Sequence, residues 1–369
     1  MKKLLLSFFM LMPLMVSAEE YSGTTGYCTW HLDTETGILK ISKRSGMDGR
    51  MYDYSFTNNA PWHKYLDHIR IVEITDSVTT IGTYSFYECS SLTSITMPNS
   101  IEYIGKRAFL GCSQLSSINI PNSVTTIEPA TFAQCTSLTS ISIPNSVTSI
   151  KSDPSGSNIR TGTAGAFHGC TNLTSITIPS SVNEIGAYSF SNCPNLKKII
   201  VDDLTAWCNI NFENLRGEIA NPLGYAHHLY LSNDENTEIT NLVIPSSVSS
   251  ISSYAFYGCT GLTSVTIEKR DTPLTFGNGT FDGCDNISDV YCYTETLPDG
   301  DGFVLSNATL HVPESLVDYC KNTAPWNGFG NIVALSETGG KPKKGDVNED
   351  GKVDISDIVA IINIMAGGE

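Results

Sequence analysis

The sequence predicts a repeat solenoid, a chain wound in stacked turns around one continuous core with a parallel sheet along one side. Three observations predict it. A 23-residue motif recurs along much of the chain. Each copy joins an alternating Ile-x-Ile stretch to Val-x-x-Ile and Ala-Phe-x-x-Cys spacings. Charged residues make up only 16% of the chain, against roughly 25% in soluble domains at large, and Ser, Thr and Asn fill the polar positions instead.

The chain opens on a segment set apart from the fold. Lys2 and Lys3 precede an apolar run at 4–16, and Val16-Ser17-Ala18 is a small-residue cleavage site. This is the layout of a signal peptide over residues 1–18, too short in its apolar part to span a bilayer. Cys28, ten residues beyond Ala18, is too far away to be the lipidated cysteine of a lipoprotein. No later apolar run reaches the length of a spanning helix, so the expectation is an exported protein with no membrane span.

Residues 19–68 form an N-terminal cap, and the repeats follow. A weak copy occupies 69–91, and regular copies start at Leu92, Leu115, Leu138 and Leu173. The step from Leu138 to Leu173 is 35 residues, so that repeat carries 12 extra ones. Further copies begin at Ile239 and Leu262, and a degraded one near Ile287. Ile-x-Ile alternates as a strand does, one side chain in and one out. One such unit cannot bury its own apolar face, whereas stacked copies can. In-register strands from successive repeats then lie about 4.8 Å apart and form a parallel sheet.

The motif Ile-Pro-Asn-Ser-Val-Thr-Ser-Ile with its Ala-Phe-x-Gly-Cys partner resembles the BspA-type leucine-rich-repeat family of bacterial surface proteins. The resemblance covers residues 24–335. It implies a leucine-rich-repeat solenoid over 69–335: a parallel-sheet horseshoe with an irregular convex side, closed by a C-terminal cap at 308–335. The stretch 207–231 resembles an insertion that recurs in the family. Both caps contain Ala-Pro-Trp, at Ala60-Pro61-Trp62 and Ala324-Pro325-Trp326. A large aromatic held by proline suits a lid over an otherwise open apolar core.

Seven of the eleven cysteines share one repeat position: Cys89, Cys112, Cys135, Cys170, Cys193, Cys259 and Cys284. In an exported chain they read either as a disulfide framework or as a buried ladder of small apolar thiols. Parallel Cβ vectors and an odd total favour the ladder. Cys28, Cys208, Cys292 and Cys320 lie off it. None of the seven histidines belongs to a recognised catalytic motif, and no serine stands apart from its repeat position. His227-His228 is the sole local cluster and reads as a packed feature of the insertion. Catalysis is not expected.

After Leu335 the composition changes. Residues 336–344 contain Gly, Pro and Lys without large apolar groups, as a linker does. Residues 345–369 then carry a 12-residue loop with Asp346, Asn348, Asp350, Lys352, Asp354 and Asp357 at positions 1, 3, 5, 7, 9 and 12. That spacing supplies the hard oxygens calcium requires, Lys352 through its backbone carbonyl, and Gly351 makes the sharp turn. Asp in place of Glu at position 12 weakens the site. Ile358, Ile361, Ile362 and Met365 give the following helix one apolar face. A calcium loop with a helix only after it resembles the dockerin family, which docks onto cohesin domains. Members normally carry two copies, and this chain has one. The resemblance implies a cohesin-like partner met through Ile355 and Ser356.

Net charge is −16, with no basic stripe. That argues against nucleic-acid binding and against a polybasic membrane patch. The expected role is non-catalytic binding or adhesion to an extracellular protein or host-surface partner. The alternative is a non-catalytic place in an extracellular polysaccharide-degrading assembly, attached through the tail. The outward strand positions Ser94, Thr96, Ser117, Asn119, Ser140, Ser142, Ser175 and Thr177 are small and polar. The two insertions, 151–163 and 202–238, are therefore the expected contact loops, removable without loss of fold.

Overall fold

The computed structural model describes residues 19–153, 165–215, 218–299 and 303–335. The signal segment 1–18, most of the first insertion, the linker 336–344 and the calcium module 345–369 lie outside the described residues.

The cap starts the sheet. Strands Glu20–Thr25, Cys28–Asp33 and Ile38–Lys43 form an antiparallel meander. Ile71–Ile74 then joins Ile38–Lys43 in parallel and Ser94–Thr96 follows, while a further parallel sheet links Ser140–Ser142, Ser175–Ile178, Lys198–Val201 and Leu229–Leu231. Inward side chains such as Val72, Ile141, Ile176 and Ile199 are at most 5% exposed, which places the core directly beneath the sheet.

A second, narrower sheet runs beside the first. Two-residue strands such as Thr80–Ile81, Tyr103–Ile104, Ser149–Ile150 and Glu184–Ile185 pair in parallel, each burying its isoleucine. Close passage demands glycine here: a Cβ on Gly105 would lie 2.4 Å from the Thr83 backbone nitrogen.

The Ala-Phe-x-Gly-Cys segments, expected to form an irregular convex side, are a third regular ladder. Two residues per repeat take the left-handed conformation: Tyr84, Arg107, Ala130, Tyr188 and Tyr254 at one position, and Glu88, Gly111, Gln134, Gly169, Asn192 and Gly258 at the other. Identical turns let the backbones bond repeat to repeat, as in Phe86 N–H to Ala108 O at 2.8 Å and Phe109 N–H to Thr131 O at 2.9 Å. Phe132 N–H bonds Ala166 O at 2.9 Å across the 12-residue insertion, so the register survives it. Beneath these turns Phe86, Phe109, Phe132, Phe167 and Phe190 stack with centroids 5.3–5.7 Å apart.

All eleven cysteines are free and buried, so the ladder is one of thiols. Five of the seven ladder thiols, those of Cys112, Cys135, Cys170, Cys193 and Cys284, donate to the phenylalanine carbonyl of the preceding repeat, for example Cys112 to Phe86 O at 3.2 Å and Cys284 to Phe256 O at 3.0 Å. Burial pushes the Cys135 and Cys284 thiols up to about 12.

Trp62 closes the N-terminal end. Its ring stacks on Phe86 at 5.7 Å, and its indole N–H donates to Ser85 O at 2.9 Å. At the far end Trp326 and Phe329 sit edge-on against Phe303. Both aromatic lids are as the sequence leads one to expect.

The second insertion differs from its expectation. Trp207, Cys208, Ile210, Phe212, Leu223 and Leu229 are buried, so residues 202–238 contribute to the core and are not removable without loss of fold. Trp207 donates to Ala255 O at 2.9 Å, the same bond Trp62 makes, in each case to the carbonyl before a ladder phenylalanine. Buried Asn221 donates to Tyr254 O and Ala255 O as well. The sheet containing Lys198–Val201 ends where Asp234–Glu238 pairs antiparallel with Leu229–Leu231, and a new parallel sheet begins at Asn241–Ile244. The insertion is an internal cap between two blocks of repeats.

Candidate binding surfaces

The predicted metal ligands Asp346, Asn348, Asp350, Lys352, Asp354 and Asp357 lie outside the described residues. Among the described residues no group of three or more His, Cys, Asp or Glu side chains is placed to hold a metal ion. No helix among them is long and apolar enough to cross a membrane.

His227 and His228 are packed features of the internal cap. His227 ends the helix Leu223–Ala226 in the left-handed conformation, with Nδ1 2.8 Å from Gly258 O. His228 Nδ1 lies 2.7 Å from Glu238 Oε1.

Strand register arranges the outward side chains in rows. In the first block Ser140, Ser175 and Lys198 align in one row, and Ser142, Thr177, Ile200 and Tyr230 in the next. A bridge between Asn119 and Ser142 extends the second row backwards. In the second block the rows are Asn241, Ser264, Asp289, Thr309, Asn331 and Val243, Thr266, Tyr291, His311, Val333. The small polar face expected from the sequence therefore covers only the early repeats. Lys198 Nζ sits 4.5 Å from the Tyr230 ring centroid. Tyr291 stacks on His311 at 4.4 Å.

These four residues escaped the sequence reading because their repeats lack the Ile-Pro-Asn-Ser tag. Their signal was the same alternation, in Lys198-Ile-Ile-Val and Asp289-Val-Tyr-Cys. Ile200 and Thr266 break it, being in outward register yet buried.

The Asp289 cluster has the composition of a catalytic site but not its wiring. His311 Nε2 lies 2.8 Å from Asp289 Oδ1, and the Ser288 hydroxyl donates to Asp289 Oδ2 at 2.7 Å. Both groups converge on one carboxylate, so no base faces the hydroxyl, as a serine nucleophile requires. Partial burial pushes the Asp289 carboxyl up, and the bonds from Ser288 and His311 outweigh it, leaving the group below its ordinary value.

The sequence matches the family described as BspA type leucine rich repeat region, in six copies, over residues 62–161, 156–216 and 234–302, together more than half of the chain. No curated protein matches it. Among solved structures it is similar to a leucine-rich repeat protein from Eubacterium ventriosum, at 21% identity, covering 80% of this chain and 78% of that one, with a TM-score of 0.42. A leucine rich cell surface protein from Faecalibacterium prausnitzii is 21% identical over 90% of this chain and 98% of its own, with a TM-score of 0.37. A leucine rich repeat protein of T. pallidum is 22% identical over 71% and 88%, with a TM-score of 0.34.

Proposed function

The chain belongs to the BspA type leucine rich repeat family, and on that premise we propose that it is an exported binding protein of the cell surface or its surroundings that recognises a partner without transforming it. The observation that carries this reading is the division of labour within each repeat. Apolar groups and thiols go inward, and backbone polar groups pair with the next repeat. The outward side chains are left on a fixed grid. Such a scaffold presents contacts over a long surface. The signal-peptide layout of residues 1–18 supports export.

The tail has its own role in this reading. Asp346, Asn348, Asp350, Asp354 and Asp357, with the Lys352 carbonyl, would hold calcium, whose charge relieves the four ligand carboxylates and Glu349, crowded into one loop. Residues 345–369 would then attach the solenoid to a cohesin-like partner. That loop spacing favours, as a second reading, membership of an extracellular polysaccharide-degrading assembly.

A pull-down from culture and envelope fractions tests both. It compares residues 19–369 with 19–335, each in calcium and in chelator. Partners lost with the tail or with calcium assign attachment to residues 345–369. Partners kept by 19–335 in chelator assign recognition to the repeats. Capture by neither form defeats the proposal.

A further inference from the structure

Among the described residues six large apolar side chains stand exposed, and five of them, Tyr27, Met47, Tyr52, Phe56 and Tyr103, belong to the N-terminal end. Tyr52 and Phe56 are 63% and 69% exposed. Scattered apolar groups on a surface need no explanation, whereas a contiguous cluster does.

Around Phe56 the rings are contiguous. Phe56 lies edge-on to Tyr87 at 6.1 Å, and Tyr87 edge-on to Tyr84 at 5.4 Å. Tyr54 N–H bonds Thr83 O at 2.8 Å, and Asp53 accepts from Thr83 N–H at 2.7 Å. The segment bearing Tyr52 and Phe56 is thereby fixed on the first repeats, beside Tyr84. Rings held on a rigid base lose little freedom when they are covered.

Carboxylates lie close to these rings, although His63 stacks on Tyr87 at 6.4 Å. Burial pushes the Tyr103 hydroxyl up, and the nearby charges of Glu128 and Asp53 push it further. Burial and a hydrogen bond to Glu88 raise Tyr87 to about 12. Glu102 adds an exposed carboxylate next to Tyr103. An aromatic face in a negative field attracts a guanidinium or ammonium group. The chain itself shows this geometry, with Arg107 lying 5.7 Å over the Tyr84 ring centroid. Arg107 also pairs with Asp153 at 3.0 Å.

We propose that the platform of Tyr52, Phe56, Tyr84, Tyr87 and Tyr103 is where the solenoid grips a protein partner, through a segment that alternates arginine or lysine with apolar side chains. The proposal rests on the binding function above and names its site. The apolar groups of the segment cover the rings, and its cations meet the ring faces and the carboxylates of Asp53, Glu88 and Glu102. The net charge of −16 steers such a segment inward and repels an acidic one.

The test uses residues 19–369 and a fluorescein-labelled 12-residue peptide of alternating Arg and Leu, titrated by anisotropy in 0.15 M salt. Matched peptides of Arg and Ser, and of Glu and Leu, separate charge from apolar contact. The expected result is binding of the Arg-Leu peptide that falls at least tenfold in a Tyr52→Ser, Phe56→Ser double variant and severalfold in Glu102→Lys. The Arg-Ser peptide binds more weakly and does not distinguish the ring variant from the parent. Both ring positions are exposed, so the variants keep the parent melting temperature. Equal affinity of parent and ring variant for Arg-Leu overturns the proposal. So does equal binding of the Glu-Leu peptide, or displacement of Arg-Leu by neutral maltohexaose. If the ring variant captures envelope partners as well as the parent does, the platform fails as the site while the binding function stands. If 19–369 captures none, the binding function itself fails.

Discussion

Trp207→Ala tests whether the insertion is an internal cap. Trp207 is 1% exposed, and its indole N–H reaches across to Ala255 O. Truncating a buried Trp to Ala costs about 3–5 kcal/mol through lost transfer energy and the cavity left behind. At about 1.4 kcal/mol per factor of ten, that is two to four powers of ten in exchange protection where opening is shared. Repeats contact only their neighbours, so the loss should concentrate in the repeats the tryptophan covers. Trp207→Phe separates ring from donor. Asn221 also donates to Ala255 O, so that carbonyl keeps a partner and the extra cost of the lost indole bond stays near 1 kcal/mol. Adding Asn221→Leu orphans the carbonyl of Ala255, at about 1–3 kcal/mol, whereas Tyr254 O keeps the Tyr257 N–H. The assay is hydrogen exchange read by mass spectrometry. Amides of Ser250–Ile251 and of the turns around Phe256 should lose protection in Trp207→Ala, while those of Ile71–Ile74 and Thr80–Ile81 keep it. Uniform loss across both blocks would refute the reasoning.

Four further outcomes follow from the same structure. Unfolded thiols ionise near 9 while burial holds Cys135 and Cys284 up to about 12. The folded chain thus keeps protons that the unfolded chain releases, so stability is full below about pH 9 and falls as pH rises towards 12. The urea midpoint should drop from pH 8 to 10.5, less steeply in Cys112→Ala, Cys135→Ala, and iodoacetamide at pH 8 should label no cysteine until the chain unfolds. Gly105→Ala drives a Cβ to within 2.4 Å of the Thr83 nitrogen and should lower stability by about 1–3 kcal/mol in thermal melts. Buried Arg270 donates to the carbonyls of Val248 and Pro245; Pro245 O also accepts the Val248 N–H, so Arg270→Leu strands Val248 O alone and should cost about 1–3 kcal/mol by urea titration. Calorimetric titration of residues 19–369 with calcium should show one site, lost in Asp346→Ala, Asp350→Ala and unchanged by Trp207→Phe.

The sequence carried the repeat period, the inward ladders and both aromatic lids, because each rests on a side chain recurring at fixed spacing. It did not carry the order of the Ala-Phe-x-Gly-Cys turns. That order comes from backbone conformation at Tyr84, Arg107 and Gln134, residues whose types do not advertise a left-handed turn. The second insertion misled because it interrupts the repeat beside small, polar strand positions and so read as a contact loop, whereas Trp207, Phe212, Leu223 and Leu229 supply a core without the repeat's spacing. On the sheet, Tyr291 and His311 were legible as strand alternation and were missed because their repeats had lost the motif that marked the others. The exposed rings of Tyr52 and Phe56 sit in a cap with no period at all, so nothing in the sequence gathered them with Tyr84 and Tyr103.

The central claim is recognition without chemistry by the solenoid. Its most direct test is capture of envelope partners on immobilised residues 19–335, followed by intact-mass measurement of what elutes. The expected result is a partner that saturates the surface and elutes with its mass unchanged after prolonged contact. A partner that is processed while bound, or a solenoid that retains nothing, would contradict it.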